Sequence, residues 1–303
     1  MNRILNKYPK ALLIVITIAM LSACGNAPSP DSTAKKAGQS IPKKKNVLIV
    51  LSAENSLTLK DGKIIPTGFF LDEFAIPAQA LAAAGYTLQI ATPGGSRPHL
   101  DELSIDKSYF QNDSLKLFKA LNFVNNLQEI KTPLKLSDVA GADLASYAAI
   151  FIPGGRAPMA DLMQNEDLGK ILRYFHTNKI TTALICHGPV ALNAALEDPV
   201  SYRRAMVQQD PTKIAKFSKD WIYSGYRMTI FSNAEEDDAL KTKKQKLPFY
   251  VADALSSSGA KLQKAQALWA PHVVRDRELI TGQNPASDHA LADTLLKVLN
   301  TLE

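Results

Sequence analysis

Cysteine is scarce in this chain, with two in 303 residues. Two thiols cannot build a disulfide framework or a four-cysteine zinc site, so each cysteine needs its own explanation. The sequence also lacks a Gly-x-Gly-x-x-Gly turn, a Walker loop and any closely spaced His, Cys and Asp cluster. Phosphate and metal chemistry are therefore disfavoured, and neither a cofactor nor a metal is expected. No internal repeat is found. A content of 46% hydrophobic and 21% charged residues excludes disordered, collagen-like and coiled-coil classes. The length suits one large globular domain or two small ones.

The formal charge of +6 would suit a nucleic-acid partner if it were spread along the chain, but it is not. Residues 1–23 carry Arg3, Lys7 and Lys10 without an acid, and residues 24–45 carry five lysines against Asp31, which leaves residues 46–303 at about −1. Nucleic acid is excluded as a partner. The three N-terminal cations precede an apolar stretch over residues 11–21, short for a bilayer span and suited to a secretion signal. Leu21-Ser22-Ala23-Cys24 resembles the lipobox of bacterial lipoproteins. This implies cleavage after residue 23 and lipid on Cys24. The Pro-, Ser- and Lys-rich residues 24–45 cannot bury a core and read as a flexible tether. The expectation is a lipid-anchored protein of the bacterial envelope. Gly25 after the cysteine favours the outer membrane, with the body facing the periplasm.

From residue 46 onward, β-branched apolar runs alternate with helical stretches. Strands are expected at 46–51, 87–91, 148–152, 182–185, 227–231, near 261–268 and at 278–281. Helices are expected at 71–84, 114–126, 159–177, from about Pro189, at 248–257 and at 286–302. Such alternation calls for an α/β fold with a mostly parallel sheet sandwiched between helices. Residues 96–140 and 198–226 read as insertions.

Within this frame, Ile185-Cys186-His187-Gly188-Pro189 places a cysteine where a buried strand turns into a helix. In open α/β sheets the ligand crevice lies outside the carboxyl ends of the strands, and a sharp turn there exposes a nucleophile. Helix-opening amides are expected to lower the thiol pKa and favour a reactive thiolate. Neighbouring side chains usually diverge, so His187 need not touch the thiol. His99, His176, His272 and His289 read as surface or structural residues, and Trp269 to His272 as a candidate crevice rim.

Ile185-Cys186-His187-Gly188-Pro189, Phe151-Ile152-Pro153-Gly154-Gly155, Phe231-Ser232-Asn233-Ala234-Glu235-Glu236 and the segment 279–287 together resemble the ThiJ/PfpI superfamily. Thr67-Gly68-Phe69-Phe70-Leu71-Asp72-Glu73 is similar to its branch of heat-shock protein 31 and glutathione-independent glyoxalase III enzymes. The resemblance spans residues 46–303 and implies a class I glutamine amidotransferase-like (flavodoxin-like) sandwich and a homodimer. It puts the nucleophile on Cys186, its histidine on His187, a buried acid on Glu73 and the histidine-orienting carboxylate on Glu236, with Glu235 as the alternative. Backbone amides of Gly155 and His187 would form the oxyanion site. Arg156-Ala157-Pro158 departs from the usual Gly-His-Gly continuation. The implied reaction is cofactor-free addition to small reactive carbonyls, methylglyoxal to lactate or deglycation. The alternatives are a cysteine peptidase or amidase, and a non-enzymatic envelope stress holdase or thiol redox sensor.

Overall fold

The computed structural model describes residues 45–243 and 245–301. The expected secretion signal, the expected lipidation site Cys24 and nearly all of the expected tether lie outside these residues. Hydrogen bonding gathers the apolar runs into a seven-stranded sheet. Its spatial order is Val273–Asp276, Leu279–Gly282, Thr181–Ile185, Tyr147–Ile152, Asn46–Val50, Thr87–Thr92 and Leu134–Lys135. All neighbours are parallel except the outer hairpin of Val273–Asp276 with Leu279–Gly282. Val47, Leu48, Ile49 and Val50 are all fully buried, as a parallel strand covered on both faces requires.

The chain leaves Asn46–Val50 through helix Leu71–Ala83 to a strand on one side, and later leaves Tyr147–Ile152 through helix Glu166–Thr177 to a strand on the other. Right-handed crossovers in opposite directions put these two helices on opposite faces. The strand order reverses between Asn46–Val50 and Tyr147–Ile152, which places the crevice at their carboxyl ends. Terminal helix Asp288–Thr301 packs along Leu71–Ala83. Among the described residues no helix is long and apolar enough to cross a membrane.

The structure corrects several element boundaries. The expected helix over 159–177 begins only at Glu166, because Asn165 caps it by accepting the Leu168 amide at 2.8 Å; residues 157–164 form two 3-10 turns instead. The segment after Cys186 is a 3-10 helix, Gly188–Ala195, with all eight residues buried. The expected strand over 227–231 shrinks to Arg227–Met228, paired with Lys261–Leu262 in a separate small sheet. Beyond it the Thr229 amide donates to the Thr281 hydroxyl (2.8 Å) and the Phe231 amide to the Cys186 carbonyl (2.9 Å). That segment therefore braces the site instead of joining the main sheet. The edge strand Val273–Asp276 was not expected, because its hairpin turn carries Arg277 at φ 58° where glycine is usual. The Arg277 guanidinium lies 3.3 Å from the centre of the Tyr226 ring.

Candidate active site

Cys186 follows strand Thr181–Ile185 directly and adopts φ 60°, a left-handed conformation that costs a non-glycine residue about 1 kcal/mol or more. The surroundings hold it there: its amide donates to the Gly282 carbonyl at 2.9 Å, and its carbonyl accepts the Phe231 amide. The turn aims Sγ into a cavity of about 280 Å³ whose walls include Phe70, Tyr109, Arg156, Phe231 and Trp269. A larger cavity of about 790 Å³, beside Met206, Leu240 and Phe249, contains none of the expected site residues.

Two acid–base systems meet at the thiol. On one side, His187 Nδ1 lies 3.2 Å from Sγ and its Nε2 lies 2.7 Å from Glu236 Oε2. The sequence argument for divergence of neighbouring side chains fails here because the left-handed turn folds the ring back onto the thiol, where Phe231 stacks on it at 4.6 Å. Glu236 stands in the first turn of helix Asn233–Leu240, and Arg156 grips its other oxygen with Nη2 at 2.6 Å and Nε at 3.1 Å. Burial alone would raise this carboxyl; His187 and Arg156 outweigh it and hold Glu236 at about 2. The result is a Cys–His–Glu chain clamped by a guanidinium.

On the other side, Glu73 is fully buried in the first turn of Leu71–Ala83 and accepts the Gly154 amide on Oε2 at 2.9 Å. Burial pushes it up to about 8, against the opposing pull of the thiol and the Gly154 amide, so Glu73 is a neutral acid at physiological pH. Gly154 is required here: a Cβ would come within 2.5 Å of Glu73 Oε2 and 2.8 Å of Cys186 Cβ. Gly155, at φ 83°, would drive a Cβ to 2.0 Å from the Gly68 carbonyl. The Gly155 amide has no acceptor among the described residues, and the His187 amide faces the sulfur; both are free to meet an oxyanion.

The expected depression of the thiol pKa does not occur. Burial, then the Glu73 charge, push the Cys186 thiol well up, and only the His187 amide opposes them among the leading influences. The repulsion from the Glu73 charge is absent while Glu73 is protonated, and the neighbouring imidazole is placed to take the thiol proton as attack begins.

Glu235 does different work. It takes hydrogen bonds from the amide and hydroxyl of Ser232 (3.0 and 2.8 Å), from Gln283 Nε2 (2.9 Å) and from Asn284 Nδ2 (2.7 Å), tying the strand ends together. Of the remaining histidines, His99 and His289 are exposed, while His176 meets Glu278 (2.9 Å) and Tyr226 (3.1 Å) away from the cavity. Trp269 stands on the cavity wall, as expected of a rim. Arg156 is the contributor that sequence reasoning passed over. Its signal was the departure from the Gly-His-Gly pattern, but the partner lies 80 residues away. Among the described residues no three His, Cys, Asp or Glu side chains gather as metal ligands.

Two predictions arise here. Arg156→Met removes one of the two groups, after His187, that hold Glu236 ionised. The acid limb of kcat/KM should move upward in pH, with activity at neutral pH lower by about tenfold, as a pH–rate series will show. Stability should depend on pH with opposite signs for the two acids. Glu236, depressed from 4.5 to about 2, contributes stability present above about pH 4.5 and lost as pH falls toward 2. Glu73, raised from 4.5 to about 8, weakens the fold progressively as pH rises from about 4.5 to about 8. Unfolding midpoints should therefore decline over that upper window in the wild type, and less steeply in Glu73→Gln, where the other raised carboxyls such as Asp161 and Asp288 remain.

Comparison with known proteins finds relatives for most of the chain. A model of the DJ-1/PfpI family matches residues 64–198, which hold Glu73, Gly155, Arg156, Cys186 and His187. A Schizosaccharomyces pombe protein named glutathione-independent glyoxalase hsp3102 is 29% identical over 86% of this chain and 100% of its own. A Pseudomonas aeruginosa protein named protein/nucleic acid deglycase HchA is 26% identical over 84% of this chain and 81% of its own. The crystal structure of glyoxalase III from Candida albicans superposes with a TM-score of 0.62 at 23% identity, covering 84% of this chain and 96% of the other, a likeness of fold. With the sheet order, the cysteine turn and this match taken together, the chain is similar to the DJ-1/PfpI family over residues 64–198.

Proposed function

We propose that the protein converts small reactive carbonyls without glutathione, methylglyoxal to lactate in the simplest case. The observation that carries this reading is the buried Cys186 flanked by His187–Glu236–Arg156 on one side and by protonated Glu73 on the other, within about 280 Å³. That volume, at the small end of ligand pockets, suits a compact carbonyl and gives an extended peptide no groove.

The protons can be followed. His187 takes the thiol proton while sulfur bonds to the aldehyde carbon, and Glu73 protonates the carbonyl oxygen to give a hemithioacetal. Glu73, now a carboxylate, removes the hydrogen from that carbon and returns it to the neighbouring carbon through an enediolate held by the amides of Gly155 and His187, while the hydroxyl proton passes from the first oxygen to the second. The thioester so formed is attacked by water whose proton goes to Glu73. The departing sulfur takes back the proton from His187, and the product is lactic acid, which ionises to lactate and one proton. The names of the relatives support this chemistry, and the deglycase name supports extending it to carbonyl adducts on amines.

The test is incubation with methylglyoxal in the absence of glutathione, with D- and L-lactate measured. Steady lactate formation is expected; none from folded protein with reduced Cys186 would refute the reading. The lipobox-like motif supports lipid attachment at Cys24 and an envelope location. Fatty-acid labelling of the full chain, lost in Cys24→Ala, would test that separately.

A further inference from the structure

We infer that Trp269 sets the substrate specificity of the catalytic pocket by holding an apolar arm of an α-oxoaldehyde, so that an aryl or branched-alkyl substrate is taken in preference to methylglyoxal. This rests on the carbonyl reading above and adds to it the class of the non-reacting arm. The pocket of about 280 Å³ has room for about nine waters at liquid density, more than a three-carbon substrate fills. Beyond Glu73, Cys186 and His187, most of its wall is apolar: Phe70, Leu103, Tyr109, Phe231, Trp269 and Pro285. Of the polar groups on that wall, Arg156 is engaged with Glu236, Asp101 accepts the Leu103 amide at 3.0 Å, and Lys243 is exposed.

Trp269 is fixed in place in a way that an incidental surface tryptophan is not. Its backbone takes φ 63°, in the left-handed region that bulky residues avoid, and its amide donates to Glu235 Oε1 at 3.3 Å. The indole Nε1 donates to Asp238 Oδ2 at 2.9 Å. The indole meets Phe231 edge-on, with 5.5 Å between ring centres, and Phe231 in turn stacks on His187 at 4.6 Å. A run of rings thus joins the catalytic imidazole to the rim, where Trp269 is 37% exposed and Leu103 is 50% exposed. Backbone strain of this kind gathers at ligand clamps, and large apolar side chains left open to water at a pocket mouth gain when a ligand covers them. An aryl or branched arm beside the aldehyde, with the aldehyde carbon at Cys186, takes that apolar surface out of water.

The test compares methylglyoxal with phenylglyoxal, which the same hydrogen shift and addition of water turn into mandelate, in the full chain without glutathione. In the wild type KM should be about tenfold lower for phenylglyoxal. Trp269→Ala should raise the KM for phenylglyoxal about tenfold more than that for methylglyoxal, and Trp269→Phe should bring the ratio most of the way back. Acetophenone, which has the ring and the ketone but no aldehyde, reads the same contact without turnover. It should quench tryptophan fluorescence in the wild type and not in Trp269→Phe, whose remaining Trp221 is buried and does not line the pocket. A KM ratio that is the same in Trp269→Ala and wild type, or no quenching by acetophenone in the wild type, would overturn the assignment of Trp269. Quenching by acetophenone with no turnover of either aldehyde would instead refute the carbonyl reading and leave the apolar site standing.

Discussion

Cys186→Ser is expected to lower kcat/KM for methylglyoxal by about 10⁴ or more, with the unfolding midpoint moved by only a few degrees. Serine fits the same left-handed turn and can still meet His187, so the fold has no reason to change. What is lost is a polarisable nucleophile whose proton one imidazole at 3.2 Å can remove. A hydroxyl holds its proton far more tightly, and neither the Glu236–Arg156 clamp nor the two oxyanion amides can compensate. Lactate assays beside thermal melts will show it. A variant keeping a tenth of wild-type activity would place the nucleophile elsewhere.

Glu73→Gln should cost about 10² to 10⁴ in kcat, the span of a positioned acid–base group, and yet stabilise the protein at alkaline pH. Glutamine can still accept the Gly154 amide, so the loop geometry survives. It cannot shuttle the carbon-bound hydrogen, so reaction should stop at the hemithioacetal. The gain in stability follows from removing a carboxyl that burial holds at about 8 and that must be charged above that pH. Lower activity with higher stability at pH 8 to 9 is the paired signature to seek in kinetics and melts. Loss of both would mark Glu73 as merely structural.

Much of the sheet was legible because its inner strands bury both faces and so read as unbroken apolar runs, as in Val47 to Val50. Helix Ser114–Asn126 could be read to its ends because Asp113 caps it through the amides of Leu115 and Lys116. The edges were not legible. Leu134–Lys135 is a two-residue strand, too short for any period, and Val273–Asp276 hides behind a turn without glycine. At the site, Cys186 stood out from turn chemistry, and resemblance singled out Gly155, Glu73, His187 and Glu236. Arg156 did not, since it matters through a partner on another element, Glu236. Nor could the thiol's direction of shift be read locally. The amide after a strand end argues for depression, and burial beside Glu73 overrules it.

The central claim is that the carbonyl carbon becomes bonded to Cys186 and leaves as an acyl group. Mass spectrometry of rapidly quenched mixtures of protein and methylglyoxal, mapped to the peptide that contains Cys186, tests it most directly. The account predicts a lactoyl thioester on Cys186 that forms and decays at rates compatible with turnover, and that is missing from Cys186→Ser and from Glu73→Gln. Lactate accumulating with no acyl group ever detected on Cys186, or with the same rate in Cys186→Ser, would contradict it.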